Sequence, residues 1–373
     1  MSIETEAAPP AAPARLREID ELPSPPGWPL VGNALQFERP RMHQQIERWA
    51  REYGPYFTFR LGTRRLLVVA DHAALGALLR DRPEGFRRIM SPLPTWRYWK
   101  TAADRELDDS VAAIGVAIRN FVAAARKRLE DPARRAAPQN LLEAMVVAAD
   151  DPQSGITPNE IHGNVMTMLL AGEDTTANTL AWAIWLLYKH PECLARARAE
   201  VDAEVGDPSA WTIERFAKLD YVEACANETL RLRPVVPFLI LQALRETSVA
   251  GIRIPADTLI WNALRTDTLR EEHFDEPDRF KPERWLAEAG PNASSASRVA
   301  MPFGAGPRVC PGRHLAMLEI KMGLAVLLGR FDIESVAPAR TGVAADEPVE
   351  ELAFTMSPEP LTLRLRRRAA KAV

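Results

Sequence analysis

The chain of 373 residues has few cysteines and no long apolar run near its start. Its three cysteines, Cys193, Cys225 and Cys310, form neither a metal-type nor a disulfide-type pattern, which argues against a disulfide-stapled secreted fold. No stretch near the N-terminus reaches the roughly 18 apolar residues that a membrane-spanning helix needs, and no secretory signal peptide is recognisable. We therefore expect a cytoplasmic protein without a membrane anchor.

An excess of charge of one sign is also lacking. The chain carries 47 basic and 50 acidic side chains, with a formal net charge of -3. A nucleic-acid-binding protein usually shows a clear basic excess, so no nucleic-acid partner is expected. No G-x-G-x-x-G fingerprint occurs either, which argues against a flavin or nicotinamide site within the chain.

Glycine and proline are concentrated instead in one stretch with a single cysteine. Residues 303–312 read Phe-Gly-Ala-Gly-Pro-Arg-Val-Cys-Pro-Gly and lead directly into an amphipathic segment, Arg313–Leu328, that predicts a helix. The N-terminus of a helix offers unbonded N–H groups and the positive end of its dipole, and both stabilise a thiolate at Cys310. The stretch predicts a thiolate site facing a bulky group, because its glycines allow the backbone a close approach.

The spacing F-G-x-G-x-R-x-C-x-G resembles the haem-binding loop of the cytochrome P450 superfamily. The resemblance implies that haem b binds here, with the Cys310 thiolate as the ligand of its iron and Arg308 as a cation for an anionic haem substituent. The cofactor-binding residues implied in this loop are Phe303, Gly304, Gly306, Arg308, Cys310 and Gly312. The alternative is an ordinary Gly/Pro loop with a buried structural cysteine.

A second signal lies on the longest predicted helix. A capping box at Thr157–Glu160 begins it, and His190-Pro191 ends it after Lys189. At about 1.5 Å per residue the helix is close to 48 Å long. Its two flanks, Val165–Leu170 and Leu180–Leu187, are apolar, so we expect a buried central helix.

The middle of this helix reads Ala171-Gly172-Glu173-Asp174-Thr175-Thr176 and resembles the A-G-x-D/E-T-T motif of the same superfamily. A threonine in a helix can donate to the carbonyl four residues earlier, here that of Ala171, and Gly172 lowers the local helix propensity. The resemblance implies that Ala171 and Gly172 lie at the haem, that Asp174 relays protons during oxygen activation, and that Thr175 stabilises the hydroperoxo species and its water. A capped polar kink in a core helix is the alternative.

Two further motifs predict a structural ion-pair network. Glu228 and Arg231 stand three residues apart on a predicted helix, Tyr221–Leu232, and Arg284 follows in Pro-Glu-Arg-Trp. They resemble the E-x-x-R helix and the P-E-R-W/F segment of the superfamily, which implies a buried network beneath the haem loop. We therefore assign the three residues a structural role and not a chemical one.

Candidate substrate-pocket residues follow from the same resemblance. They are Val236, Phe238, Leu239 and Phe354. The first three lie in an apolar run that fits a core strand equally well, and the fourth lies at an expected hairpin tip. A second haem-propionate partner is expected near Gln242 or Arg245, and the sequence leaves these two open.

The expected fold is mainly α with a small β subdomain, the cytochrome P450 fold, in which haem lies between the long central helix and the cysteine loop. Residues 1–21 are expected to form a disordered tail, and residues 22–373 one haem-thiolate monooxygenase domain. Near residues 90–92 a block of helices expected from the resemblance is missing. The protein could lack this block, or the block could be missing only from the sequence. We favour the second explanation, because its loss would uncover one side of the haem.

The resemblance implies a monooxygenase that inserts one atom of O₂ into an apolar small molecule. Electrons would come from a separate ferredoxin- or flavodoxin-type protein with its reductase, and the enzyme would be a monomer. A peroxide-driven or isomerase-type haem-thiolate enzyme is one alternative. A catalytically silent haem-binding protein is another, and a haem-free scaffold protein is the third.

Overall fold

The computed structural model describes residues 15–89, 102–206, 211–286, 291–339 and 347–368. The chain forms two compact units. The larger unit comprises Met1–Met90 and Asn178–Val373, and the inserted unit comprises Ser91–Ala177. Helices predominate in the described residues of both units, and the strands all belong to the larger one, so the prediction of a mainly α fold with a small β part is confirmed.

The α-helices are α1 (Met42–Tyr53), α2 (His72–Arg80), α3 (Ala102–Arg128), α4 (Pro132–Ala136), α5 (Leu141–Ala149), α6 (Pro158–Lys189), α7 (Pro191–Glu204), α8 (Ile213–Ala217), α9 (Asp220–Leu232), α10 (Pro291–Ala300) and α11 (Arg313–Arg330). The strands are β1 (Tyr56–Leu61), β2 (Arg64–Val69), β3 (Phe86–Arg88), β4 (Phe238–Ala243), β5 (Thr247–Val249), β6 (Ile252–Ile254), β7 (Leu259–Ala263), β8 (Phe331–Pro338), β9 (Glu350–Leu352), β10 (Met356–Pro358) and β11 (Leu361–Arg367). Among the described helices, none combines the length and the apolar character needed to cross a bilayer.

The main sheet has five strands in the order β1-β2-β7-β4-β3. Only the β2–β7 pair is parallel. Alternate residues of β2 enter different apolar clusters: Leu66 and Val68 pack on one face, and Leu67 and Val69 on the other. This follows from the period of two in a strand, and it buries both faces of the sheet.

The helical core of the larger unit is built from the C-terminal part of α6 with α7, α9 and α11. Trp182, Leu187 and Leu324 are fully buried in it. Cys193 and Cys225 lie in the same cluster as free thiols. Burial raises the pKa of the Cys225 thiol, which keeps it protonated and unreactive.

The inserted unit contains α3, α4, α5 and the first part of α6 around a smaller apolar cluster. The side chain of Glu143 is fully buried and accepts hydrogen bonds from Arg128 and Arg134. The bond from Arg134, followed by that from Arg128, lowers the pKa of Glu143 to about 2. The carboxylate therefore joins α5 to the end of α3 and to α4.

Helix α6 has the bounds that the sequence predicts, but not the predicted burial. The capping box is formed, because the Thr157 N–H donates to the Glu160 carboxylate and the Glu160 N–H donates to the Thr157 hydroxyl at 3.2 Å. The expectation that the whole helix is buried is wrong for its first half, where Met168, Leu169 and Leu170 are 37–50% exposed. A helix buries only those faces on which other elements pack, and in the inserted unit only the first turns of α6 join the apolar cluster.

The structure also differs from the predicted N-terminal tail of residues 1–21. Residues 15–21 are ordered: Arg17 pairs with the β5–β6 hairpin through backbone hydrogen bonds to Gly251 and Arg253, both 2.9 Å long, and Ile19–Glu21 forms a 3-10 turn. The backbone partners offset the low apolar content of this segment. Residues 1–14 lie outside the described residues, as does the region of the missing block at 90–92. Trp96 and Lys100, which the resemblance offers as further haem-propionate contacts, also lie outside the described residues.

Candidate haem-binding site

The cysteine loop is closed by a hydrogen bond between its two ends. The Cys310 N–H donates to the Phe303 carbonyl at 2.9 Å, and the Cys310 carbonyl accepts from Arg313 N–H at 3.4 Å, where α11 begins. The N-cap residue of this helix is Gly312, which has no side chain to cap it. Cys310 is a free, partly buried cysteine, so the loop presents one thiol at the uncapped N-terminus of a helix. This is the arrangement that the sequence predicts.

Two glycines give the loop its shape. Gly304 and Gly306 have φ values of +74° and +73°, which side-chain-bearing residues rarely adopt. A Cβ on Gly306 would stand 2.6 Å from the Leu79 carbonyl oxygen, so Gly306 is required for the loop to pack against the end of α2. A Cβ on Gly304 would meet no atom within 4 Å. Gly304 therefore leaves room for a flat group, as the sequence predicts. Gly306 is required for a different purpose, the close packing of the loop on the end of α2.

Three arginines form a cationic cluster beside the loop. Arg82 follows α2, Arg88 ends β3, and Arg308 belongs to the loop itself. Burial, and then the positive charges of Arg88 and Arg308, lower the pKa of the Arg82 guanidinium, and its buried Nε has no hydrogen-bond partner among the described residues. Within the described part of the chain, no carboxylate lies at ion-pair distance from any of the three. Clustered cations without an anion repel one another, so the site suits a polyanionic group.

These features fit haem. The thiol of Cys310 is a suitable iron ligand, the open side of Gly304 admits a flat ring, and the three guanidiniums match two propionates. The sequence identified Arg308 but missed Arg82 and Arg88. The sequence feature that could have identified them is the high density of arginines after α2. Basic residues are also common at helix C-termini for their interaction with the dipole, so this feature is not specific.

The two propionate partners that the sequence left open are engaged elsewhere. Arg245 donates to both carboxylate oxygens of Asp81, at 2.8 and 2.9 Å. Gln242 accepts from Arg87 at 2.8 Å and donates to Asp257 at 3.0 Å. The Arg245–Asp81 and Arg87–Gln242 contacts position the segment between α2 and β3, which contains Arg82.

The predicted ion-pair network is present around a fully buried Glu228. Its carboxylate accepts from Arg231 at 2.8 and 2.9 Å, from Arg284 at 3.0 Å, from the Trp285 indole at 2.8 Å and from the Lys281 backbone N–H at 3.0 Å. Burial opposes the charge, but the hydrogen bond and charge of Arg231, with the charge of Arg284, outweigh it and lower the pKa of Glu228. The structure thus brings all three predicted residues together.

This network adjoins the backbone that enters the cysteine loop. Arg231 and Leu230 line a cavity of about 20 Å³ together with Met301 and Pro302, the residues that precede Phe303. The guanidinium of Arg231 also donates to three main-chain carbonyls, those of Thr268, Pro277 and Arg279. The network therefore fixes α9 and two connecting segments beside the start of the loop.

The second motif lies in the inserted unit, whereas the cysteine loop belongs to the larger one. Thr175 Oγ1 donates to the Ala171 carbonyl at 2.7 Å, as predicted. Ala171, Gly172 and Asp174 are exposed, and Thr175 is partly buried. The motif thus presents a carboxylate and a hydroxyl on one stretch of α6.

The four candidate pocket residues do not form one group in the structure. Phe238 stacks on Trp261 with ring centroids 4.1 Å apart, and Leu239 packs on the opposite face of the sheet, because neighbouring residues in a strand alternate. Val236 is half-buried, and Phe354 is 47% exposed at the tip of the β9–β10 hairpin. The core-strand alternative therefore describes the packing of Phe238 and Leu239.

Comparison with known proteins agrees with this site. The family model described as cytochrome P450 matches residues 22–93 and 84–364. The chain is 30% identical over 285 residues to LUTEIN DEFICIENT 5, chloroplastic, of Arabidopsis thaliana. This match covers 72% of this chain and 46% of that protein. It is 32% identical over 254 residues to cyclooctat-9-en-7-ol 5-monooxygenase of Streptomyces melanosporofaciens, covering 67% and 53%.

Among solved structures, the heme domain of cytochrome P450DA has the same fold. The TM-score is 0.69 at 19% identity, and the match covers 95% of this chain and 98% of that one. The chain spans about half the length of the two curated relatives. It belongs to the cytochrome P450 family, whose cofactor is a haem with a cysteine thiolate on its iron.

Proposed function

We propose that this protein is a haem-dependent monooxygenase that inserts one oxygen atom of O₂ into an apolar small molecule. The observation that carries the proposal is the Cys310 loop, with one partly buried free thiol at a helix N-terminus beside three arginines that have no ion-pair partner among the described residues. The Streptomyces relative is named a monooxygenase, which supports the reaction class. Haem bound through a thiolate supplies the activation of O₂.

The residues around the loop hold the cofactor. Cys310 provides the thiolate ligand, and the positive end of α11 stabilises its charge. Arg82, Arg88 and Arg308 bind the propionates, which relieves the repulsion among the three guanidiniums. Phe303 and Gly304 shape the ring-facing side of the loop, and Glu228 with its two arginines holds the backbone that enters it.

Asp174 and Thr175 handle protons. The Thr175 hydroxyl donates its proton to the Ala171 carbonyl, so its oxygen is oriented to accept a hydrogen bond from water. Asp174 is an exposed carboxylate one residue earlier and exchanges protons with solvent. Asp174 would therefore carry protons in from bulk water, and the Thr175 oxygen would orient the water that receives them.

An apolar substrate is supported by the side chains next to this motif. Met168, Leu169 and Leu170 directly precede Ala171 and are exposed on α6. Because the sequence has no dinucleotide-binding fingerprint, we assign electron delivery to a separate ferredoxin- or flavodoxin-type protein with its reductase.

The thiolate ligand is tested by the absorption spectrum of the reduced protein with carbon monoxide. We expect a strongly red-shifted Soret band in the wild type and in Cys193→Ala, a control at a buried cysteine outside the site. Cys310→Ser should lose the shift. An unshifted band in the wild type would remove Cys310 from the assignment, and a protein without haem absorbance would contradict the proposal.

Proton delivery is tested by Asp174→Asn. We expect turnover with surrogate redox partners to fall by about 100-fold or more, because the carboxylate is lost as a proton carrier. The Soret band should be unchanged, and Glu173→Gln, the neighbouring carboxylate, should retain activity. A wild type that consumes no NADPH with any substrate would indicate the silent haem binder. Turnover with peroxide alone and not with redox partners would indicate the peroxide-driven alternative.

A further inference from the structure

Two histidines and an aspartate converge at the start of α2, away from the cysteine loop. His72 is the first residue of α2, Asp267 lies in the 3-10 turn Asp267–Leu269 after β7, and His273 follows in the next turn. One potential ligand atom from each lies within 4.8 Å of the other two. His72 Nδ1 is 2.8 Å from Asp267 Oδ2, and His273 Nε2 is 3.8 Å from the same oxygen.

The carboxylate between the two rings has an unused oxygen. The side chain of Asp267 is only 4% exposed. Its Oδ2 accepts from the backbone N–H of His72 at 2.7 Å, whereas its buried Oδ1 accepts no hydrogen bond within the described part of the chain. The guanidinium of Arg270 approaches Oδ1 only to 3.7 Å. A buried carboxylate with one oxygen left without a hydrogen bond is costly, so a cation bound to this carboxylate would be stabilising.

We propose that His72, Asp267 and His273 bind a divalent transition-metal ion of the zinc type. Two imidazole nitrogens with one carboxylate oxygen suit Zn²⁺ and do not suit Mg²⁺ or Ca²⁺, which prefer oxygen ligands. This inference is independent of the proposed monooxygenase function, because none of the three residues belongs to the haem site.

The two separations from Asp267 Oδ2 are close to those of a metal site, and the two histidine nitrogens lie within 4.8 Å of each other. Two ligand atoms at about 2.1 Å from a tetrahedral ion are about 3.4 Å apart. The 2.8 Å separation therefore has to open and the 3.8 Å separation to close, each by roughly half an ångström, which is within side-chain reach. His72 then coordinates through Nδ1 and carries its proton on Nε2. The two rings are 27% and 23% exposed, so water completes the coordination shell.

One neighbouring charge opposes the ion. Arg270 stands beside Asp267, but its side chain is 35% exposed and has a second carboxylate, Glu272, at 3.8 Å. Ion binding turns Arg270 toward Glu272. The ion would then join the first residue of α2 to the segment after β7. The other end of α2 packs on Gly306, so the ion stabilises the element that supports the cysteine loop.

Calorimetric titration of the untagged, haem-loaded protein with zinc chloride tests the site after removal of metals by a weak chelator. We expect one Zn²⁺ per chain with micromolar affinity. His273→Gln should weaken binding at least about tenfold, because one of three protein ligands is lost. His162→Gln, a partly buried histidine in the inserted unit, should bind as the wild type does.

His273→Gln is the decisive variant, because Asp267 also holds the first N–H of α2 and its replacement could unfold the protein. Within the described residues, the His273 side chain makes no hydrogen bond to the backbone. A rise of Tm with Zn²⁺ in the wild type, absent in His273→Gln, would support the site independently. Absence of zinc binding in the wild type, or equal affinity in His273→Gln, would overturn the proposal and leave a metal-free His–Asp contact at the start of α2.

Discussion

Two buried ion networks of the larger unit have opposite charge arrangements. In the first, one carboxylate, Glu228, stands between two arginines, Arg231 and Arg284. In the second, one guanidinium, Arg265, stands between two carboxylates, Glu47 and Glu350, and all three side chains are less than 10% exposed. Both networks bury charge, but their surplus charges have different partners.

The surplus cation of the first network is satisfied by main-chain carbonyls, since Arg231 donates to three of them. The surplus anion of the second network is shared by side chains. Glu350 accepts from His43 at 2.8 Å and from Gln44 at 2.9 Å, and Arg233 approaches it to 3.5 Å. Burial opposes the charge on Glu350, but the bonds from His43 and Arg265 hold its pKa well below its usual range.

The difference shows which network depends more on a single residue. Removing Glu228 leaves two arginines that keep carbonyl acceptors. Removing Arg265 leaves two buried carboxylates facing each other without their common partner. A buried charge that loses its partner is far more costly than the intact pair is stabilising.

The largest expected effect is therefore that of Arg265→Met. We expect the free energy of unfolding to fall by about 3–5 kcal/mol, measured by urea denaturation. Arg253→Met is the matched control, because this exposed arginine approaches its carboxylates only to 3.5 Å and should change stability by less than about 0.5 kcal/mol. A loss as small as that of the control would show that Glu47 and Glu350 do not depend on Arg265.

Glu228→Gln should cost less, about 2–3 kcal/mol, because its arginines retain main-chain acceptors. It should nevertheless release haem more readily than Arg265→Met does, since the Glu228 network adjoins Met301 and Pro302 before the cysteine loop. The haem-to-protein ratio after gel filtration measures this. Equal haem loss in both variants would refute a specific link between the Glu228 network and the loop.

The stabilisation that Glu228 and Glu350 provide should depend on pH in the acid range. The pKa values of Glu228 and Glu350 are lowered in the folded protein, whereas an unfolded glutamate titrates near about 4.3. The unfolded state thus binds more protons in acid, so both contributions are present above about pH 4.3 and are lost as the pH falls toward the folded pKa values. The dependence of unfolding free energy on pH below 5 should be shallower in Glu228→Gln than in the wild type. An unchanged slope would contradict a lowered pKa of Glu228.

The smallest effect is expected for His43→Gln, within about 1 kcal/mol. The glutamine amide can replace the donor that His43 Nε2 provides to Glu350, and the substitution removes His43 Nδ1, which is buried without a partner among the described residues. Thermal denaturation measures the change. A loss comparable to that of Arg265→Met would mean that His43 contributes charge to the network.

The sequence predicted the elements whose signals are short-range. The bounds of α6 follow from the capping box at Thr157 and from His190-Pro191, and the Glu228–Arg231 pair follows from a spacing of three residues on one helix face. The motif residues of the cysteine loop all lie within ten consecutive positions, 303–312. In each case the chemistry and the structure lie within a few turns of the chain.

The remaining contacts depend on residues far apart in sequence. Arg265 is 218 residues from Glu47 and 85 from Glu350, and no spacing rule connects them. Arg82 and Arg88 can be recognised as part of the cationic cluster only in the structure, where the packing of Gly306 on α2 places Arg308 beside them. The burial of α6 was overestimated for a related reason, because hydropathy shows which face is apolar but not which element covers it.

The order of strands in the main sheet has a consequence for synthesis of the protein. The β1–β2 hairpin ends at Val69, and its parallel neighbour β7 begins at Leu259, about 190 residues later. At ribosomal rates of about 5–20 residues per second, roughly 10–40 seconds pass between synthesis of the hairpin and synthesis of β7, the strand that pairs with the open edge of β2. During that interval the apolar strand β2 is open to pairing with other chains, so yield in a fast-translating host should respond to chaperones and to lower growth temperature.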